Sequence, residues 1–448
     1  MTTPASPHSL LRRAAVALFA LLACAAPAGA TTIERVVSPL GIEAWLVHEH
    51  AVPLVALDFA FVGGANQDPA GKAGTATLVA SLLDEGAGDI DSKTFHERLA
   101  AKAIELSYTA DRDTIRGTLR TLTENSKDAF EYLRLSLTAP RFDTSDVEII
   151  RAQVFSLLRR ATTNPSDIAS LHWWETAFAG HPYGLPVNGT FESLPTITVG
   201  DLHTYSRRVL ARDNLKIAVV GDIDAEAVKV MVDHVFGALP AKAELTPVAN
   251  ATPQGLGRRI VTKVDVPQAV IAFGGPGIAR KDPDFMAAYI VNHILGGGAF
   301  SSRLYREVRE KRGLAYSVYD GLYWLRHAAL FLGGTATRAD RTGETLDVIE
   351  REIQRLADNG PTAEELAKAK SYLNGSFALN LDTSSKIAAL LVQLQVDNLG
   401  VDYFTRRPQM IDAVTLDDAR RVAKRLLGGG LLVTVVGRPD GLMSTSAE

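Results

Sequence analysis

The chain has 448 residues, with 47 Lys and Arg against 51 Asp and Glu, a formal net charge of −4, 46% hydrophobic residues and one cysteine. That balance offers no basic patch or stripe of the kind nucleic acid requires, and the length exceeds the ~250–300 residues at which a single core stops growing, so at least two domains are expected. One cysteine allows no disulfide framework and no cysteine-based metal cluster, which leaves buried cores to supply the stability.

Residues 1–30 read as a secretory signal peptide. Arg12 and Arg13 precede an apolar run from Ala14 to Ala26, and Ala28-Gly29-Ala30 supplies the small residues of a cleavage site. The arginine pair fits general or twin-arginine export. Leu21-Leu22-Ala23-Cys24 also matches a lipoprotein box, through which Cys24 would become a lipidated first residue. The run is short for a membrane span and no later stretch reaches ~18 uninterrupted apolar residues, so a periplasmic or secreted protein is expected. Cleavage after Ala30 would leave 45 basic against 51 acidic residues and no thiol.

The following chain contains one unit twice. "VPLVALDFAFVGGANQDP" (52–69) aligns without gaps to "VPQAVIAFGGPGIARKDP" (266–283) at an offset of 214, and "NLKIAVVGD" (214–222) aligns to "GLLVTVVGR" (430–438) at an offset of 216. Nearly equal offsets mean two copies of one ~200-residue unit. In each copy an apolar strand (Leu54 to Val62, Ala269 to Gly274) leads through an Asp-Pro turn to an apolar helix (Ala73 to Leu83, Phe285 to Leu295). Amphipathic helices follow, including Ser145 to Arg160, Asp340 to Asp358 and Thr362 to Leu373, and then a closing strand, Ile217 to Val220 or Leu432 to Val436. Grouped strands and helices without strict βαβ alternation predict an α+β fold, two homologous domains each with helices layered on a largely antiparallel sheet. The domains are expected at 31–238 and 258–448, joined by the proline-bearing linker 239–257.

The stretch "GGGAFSSRLYREVREKRGLAYSVY" (296–319) has the most unusual chemistry. Ser301 or Ser302 can cap a short helix, Leu304 and Val308 give it a buried stripe, and Gly313 suits a left-handed stop. Arg306 has Glu310 four residues on, and Lys311 has Glu307 four residues back. Arg309 has only Tyr305, Arg306, Arg312 and Gly313 at those spacings, which leaves its guanidinium free for something outside its own helix. Tyr316 follows on the next strand, two positions past Leu314 and expected on the same face. Arg312 suits framework or substrate contact better than chemistry. Gly296-Gly297-Gly298 lacks the Gly-Lys-Ser/Thr end of a phosphate loop, and reads equally as a flexible joint or as a place where backbone can closely approach a ligand.

This stretch, the duplication and the Val-Val-Gly closing strands together resemble the pitrilysin/insulinase family of zinc peptidases, whose processing-peptidase-like members form two-subunit clamshells. The resemblance covers essentially the whole mature chain. In that family the first helix after the N-terminal Asp-Pro turn bears H-x-x-E-H, two histidines for zinc and a glutamate as general base. By resemblance Thr77, Ala80 and Ser81 stand at those positions here, and none ligates zinc well or accepts a proton near neutral pH. The family's third, carboxylate ligand would come from the later helix, yet Val154 to Leu158 contains no acid. No metal site is expected in this chain.

The other histidines offer no substitute. No pair has helical i, i+4 spacing around a glutamate. His48 and His50 flank Glu49 on a strand without a third ligand, His293 lies on an apolar helix as a core residue, and His181 is simplest as a turn residue.

The resemblance gives Arg309 the role of holding a substrate carbonyl, and Tyr316 that of donating to the oxyanion formed in peptide-bond cleavage. It assigns Gly296, Gly297, Gly298 and Phe300 to a mobile loop touching peptide substrate. A chain that keeps such a pair without metal ligands reads as the non-catalytic subunit of an exported heterodimeric zinc peptidase. Its homologous partner would carry H-x-x-E-H and zinc, and the substrate would be a peptide or unfolded protein. The alternative is a structural or peptide-holding subunit with no part in catalysis. A stand-alone serine hydrolase is weaker, because Ser81 has no histidine and acid arrangement and no Gly-x-Ser-x-Gly elbow occurs.

Overall fold

A computed structural model describes residues 32–377, 379 and 381–445. The expected signal segment and Cys24 lie outside the described residues.

The two copies appear as two sheets. The first holds β1 (Glu34–Val37), β2 (Glu43–His48), β3 (Leu54–Val62), β4 (Glu105–Ala110), β5 (Thr114–Leu122) and β6 (Leu215–Gly221), in the spatial order β1-β2-β6-β3-β5-β4. The second holds β7 (Arg259–Lys263), β8 (Gln268–Pro276), β9 (Ala315–Trp324), β10 (Ala329–Arg338) and β11 (Leu432–Gly437), in the order β7-β11-β8-β10-β9. Dropping β1 from the first order superimposes one topology on the other. The parallel pair is equivalent in both, β2 with β6 and β7 with β11, and the remaining ladders are antiparallel. The fold is therefore α+β, two copies of one sheet-and-helix unit.

The Asp-Pro turns act as helix starts. Asp68 accepts the amide protons of Gly74 (2.7 Å) and Ala76 (2.8 Å) at the head of the Thr75–Leu82 helix, and its burial pushes its carboxyl up to about 7 against the pull of those amides. In the second copy Asp282 accepts the Asp284 amide and pairs with Arg425 at 2.7 Å.

The halves exchange helices. Pro165–Ala177, from the first half, packs on β8 and β11 of the second sheet, while Ser384–Val396, from the second half, packs on β3 and β6 of the first. Side chains fasten each crossing: Trp173 Nε1 donates to the Leu432 carbonyl (3.1 Å), Thr434 Oγ1 to Ala169 (2.9 Å) and Gln395 Nε2 to Ile217 (2.8 Å). This accounts for the near-continuous apolar run of β3. One face of the sheet meets its own helices, and on the other Ala60, Ala218 and Val220 join the second half's core. The segment 239–257 is strapped down along both halves: Thr246 bonds Gln67, Ala251 bonds His327 and Gln254 bonds Ala177. Among the described residues no helix is long and apolar enough to cross a membrane.

Candidate functional site

On the Thr75–Leu82 helix, Thr77 and Ser81 share one half-exposed face with Ala80 buried between them. The Thr77 hydroxyl donates to the Val187 carbonyl (2.8 Å), so it is already committed to the fold. Val154, on the neighbouring Thr144–Ala161 helix, is buried and apolar. A hydroxyl bound to backbone, a methyl and a second hydroxyl cannot make a zinc site with N, S or carboxylate ligands. Among the described residues no group of three or more His, Cys, Asp or Glu could hold a metal ion.

The histidines have structural partners. His48 and His50 stack on each other with ring centroids 6.0 Å apart and pair separately with Glu34 (3.0 Å) and Asp222 (2.7 Å). His293 is buried, stacks on Tyr372 at 5.0 Å, and burial lowers its pKa. His181 accepts the Tyr183 amide proton on Nδ1, and its Nε2 lies 2.9 Å from the Ala249 carbonyl in the connecting segment.

The segment before β9 is wound more widely than an α-helix. After a 3₁₀ turn at Ala299–Ser301, residues Tyr305–Glu310 form π-type turns, with the Lys311 amide bonding the Arg306 carbonyl five residues back. Ser302 supplies the cap, its Oγ accepting the Tyr305 amide proton (3.3 Å), and Leu304 and Val308 are fully buried. Gly313 ends the helix at φ +60, which an L side chain adopts only with strain. Arg303 is buried and grips Glu365 through two bonds of 2.7 and 2.6 Å, fixing the helix to the Ala363–Phe377 helix.

Of the two pairs expected from α-helical spacing, Lys311–Glu307 is present and Arg306–Glu310 is replaced. Glu307, 4% exposed, receives Lys311 (2.7 Å) and Arg312 (2.8 Å), and Arg306 approaches Glu307 (3.8 Å) rather than Glu310. Arg312 is thus a framework residue. Burial alone would raise the Glu307 pKa, but the bonds from Lys311 and Arg312 outweigh it and hold the carboxyl at about 2.

Arg309 has no carboxylate partner among the described residues. Its guanidinium lies between two rings, 4.9 Å from the centroid of Tyr305 and 4.4 Å from that of Tyr316. Phe300 meets Tyr305 edge-on at 5.0 Å. Phe300, Tyr305, Arg309 and Tyr316 therefore form one column, open to solvent at both ends: Phe300 is 72% exposed and Tyr316 is 81% exposed. Tyr316 does not share a face with Leu314. Leu314 is buried, and β9 carries an irregularity beside Tyr316 that the alternating pattern conceals.

The glycines precede the same helix in the chain. A π-type turn runs from His293 to Gly297, closed by the Gly298 amide on the His293 carbonyl (2.8 Å). Gly296 is buried, and a Cβ there would come within 2.6 Å of an Asp320 carboxyl oxygen. Asp320 is buried, facing the Gly296 and Gly297 amides and Asn292 without a well-formed hydrogen bond, and burial drives its pKa well above the carboxylate range. Gly296 therefore serves close packing, while Gly297 and Phe300 face outward.

The Lys311–Glu307 pair stands as its spacing predicts, while sequence reasoning missed the stacking of Tyr305 and the pairing of Arg303. Tyr305 was visible four residues before Arg309. The Arg303–Glu365 pair spans 62 residues and leaves no local signal.

Residues 196–373 match the family model described as "Peptidase M16 inactive domain". The chain is 31% identical over 310 residues to an "uncharacterized zinc protease" of Streptomyces coelicolor, covering 67% of each chain. It is 27% identical over 337 residues to a "non-peptidase homolog" of Helicobacter pylori, covering 75% of this chain and 78% of the other. A crystal structure described as a peptidase M16 inactive domain from Pseudomonas fluorescens superimposes with a TM-score of 0.86 at 26% identity, over 93% of this chain and all of the other.

Proposed function

Since the chain belongs to the peptidase M16 family, as an inactive member, we propose that it is the non-catalytic subunit of an exported heterodimeric zinc peptidase, to whose partner it supplies Arg309 and Tyr316. The partner would bring zinc, the attacking water and the general base on its own H-x-x-E-H helix. This chain brings a guanidinium to hold the substrate carbonyl and a phenol to donate to the oxyanion. Substrates would be peptides or unfolded segments able to enter the space between the subunits, with Gly297 and Phe300 at its edge. Export rests on the N-terminal sequence, and a lipid anchor through Cys24 is the variant form of the same proposal.

The observation that carries the reading is a guanidinium with no carboxylate partner among the described residues, stacked on an exposed tyrosine, in a chain whose own Thr77, Ala80 and Ser81 cannot bind zinc. Arg306, Lys311 and Arg312 beside it all approach Glu307, which leaves Arg309 to the two rings. A fixed donor aimed at developing charge lowers the barrier by ~3–4 kcal/mol.

The test is Tyr316→Phe, assayed in a mixture with an H-x-x-E-H family member from the same organism. Turnover should drop ~10²–10³-fold while the affinity between the chains, measured by ultracentrifugation, changes little. Full activity in the mutant mixture would refute the role of Tyr316 and favour a structural or peptide-holding subunit.

A further inference from the structure

The irregularity in β9 is a two-against-one bulge. Thr335 of β10 opposes Val318 and Thr337 opposes Ala315, so Tyr316 and Ser317 together face the single residue Ala336. Ala315 and Val318 both turn into the core as a result, and Tyr316 and Ser317 both turn out. A bulge displaces backbone carbonyls from the ladder, and these must find other donors or remain unpaired.

Two threonines provide them. Thr337 Oγ1 donates to the Leu314 carbonyl at 2.7 Å, and Thr335 Oγ1 donates to the Ser317 carbonyl at 2.6 Å. Those two carbonyls bracket the Ala315-Tyr316-Ser317 turn of chain. Both threonines are buried, at 5% and 2% exposure, in positions where valine would otherwise fit. A buried hydroxyl is costly unless it is bonded, and here each bond goes to the bulge. Thr337 is itself seated 3.0 Å from Thr345 Oγ1 on the Thr342–Asn359 helix, which ties the clamp to the core.

We propose that Thr335 and Thr337 are positioning residues, whose hydroxyls lock the β9 bulge and thereby set the Tyr316 ring against the Arg309 guanidinium and aim its phenol outward. The proposal rests on the catalytic reading of Tyr316 for its effect on rate, but its structural half stands without it. Neither threonine touches substrate. Each acts through the backbone on either side of the tyrosine.

The experiment uses the full chain with Thr335→Val, Thr335→Ser and Thr337→Val. In the isolated chain, the ring-current shift of the Arg309 side-chain Nε–H resonance, assigned by Arg309→Lys, reports the stack. The Val variants should lose that shift and the Ser variant should keep it. In the mixture with the H-x-x-E-H chain, Thr335→Val should lower kcat by up to ~10²-fold, the scale for an ångström of misplacement, with KM unchanged. Thr335→Ser should restore kcat. An unaltered Arg309 shift in Thr335→Val overturns the clamp, whatever the rate does. A lost shift with unaltered kcat leaves the clamp in place and overturns the catalytic reading of Tyr316. Should Thr337→Val fail to fold, the Val and Ser variants at 335 decide alone.

Discussion

At the scale of single residues, the site is a matter of which charges are already used. Glu307 takes up Lys311 and Arg312, Glu365 takes up Arg303, and Arg309 is left with two aromatic faces. A cation held over a ring gains only ~0.5–1 kcal/mol at an exposed site, so the stack orients the guanidinium without satisfying its five donors. Arg309→Lys keeps the charge but loses the planar fork. It should therefore reduce kcat/KM of the two-chain mixture by ~10-fold or more, the scale of one charge-assisted hydrogen bond. Equal rates for Lys and Arg would show that charge alone suffices. Arg309 could be singled out in the sequence because its neighbours at three and four places carry no acid. The face of Tyr316 could not, because a period-two reading assumes an unbroken ladder and the bulge breaks it.

At the scale of the element, the π-type winding of Tyr305–Glu310 decides what meets what. It makes residues five apart neighbours, which is why Glu307 holds Arg312 as well as Lys311. Glu307→Gln should destabilise the chain by ~1.5–3 kcal/mol, since a buried acceptor loses its charge while two cations keep theirs. Urea denaturation would measure it, and an unchanged midpoint would contradict the clamp. The pH dependence has a definite sign. A carboxyl held at about 2 in the fold and near 4.5 when unfolded contributes stability that is complete above pH ~4.5 and is lost as pH falls toward 2. Glu365, held at about 2 by Arg303 against its burial, acts in the same window. The loss between pH 4.5 and 2 should shrink in Glu307→Gln. Propensity and capping residues predicted this helix and its glycine stop, but the π winding leaves no mark in hydrophobic spacing over so short a run.

At the scale of the whole molecule, the duplication was legible because two strand motifs recur at nearly equal offsets, and the structure shows matching strand orders. The exchange of helices between halves was not. Nothing local in Pro165–Ala177 says which sheet it covers, although the doubly apolar β3 implied that something covers its second face. Trp173 is the largest fully buried side chain at the crossing. Trp173→Ala should cost ~3–5 kcal/mol and weaken both halves in one cooperative transition, and separate transitions for the two halves would contradict that coupling. Two halves joined this way present the Arg309 and Tyr316 column, while Thr77, Ala80 and Ser81 offer zinc no ligand set. The most direct measurement is zinc content and peptidase rate for the purified chain, alone and mixed with its H-x-x-E-H counterpart. The account predicts no stoichiometric zinc and no cleavage alone, and cleavage on mixing. Bound zinc together with proteolysis by the isolated chain would contradict it.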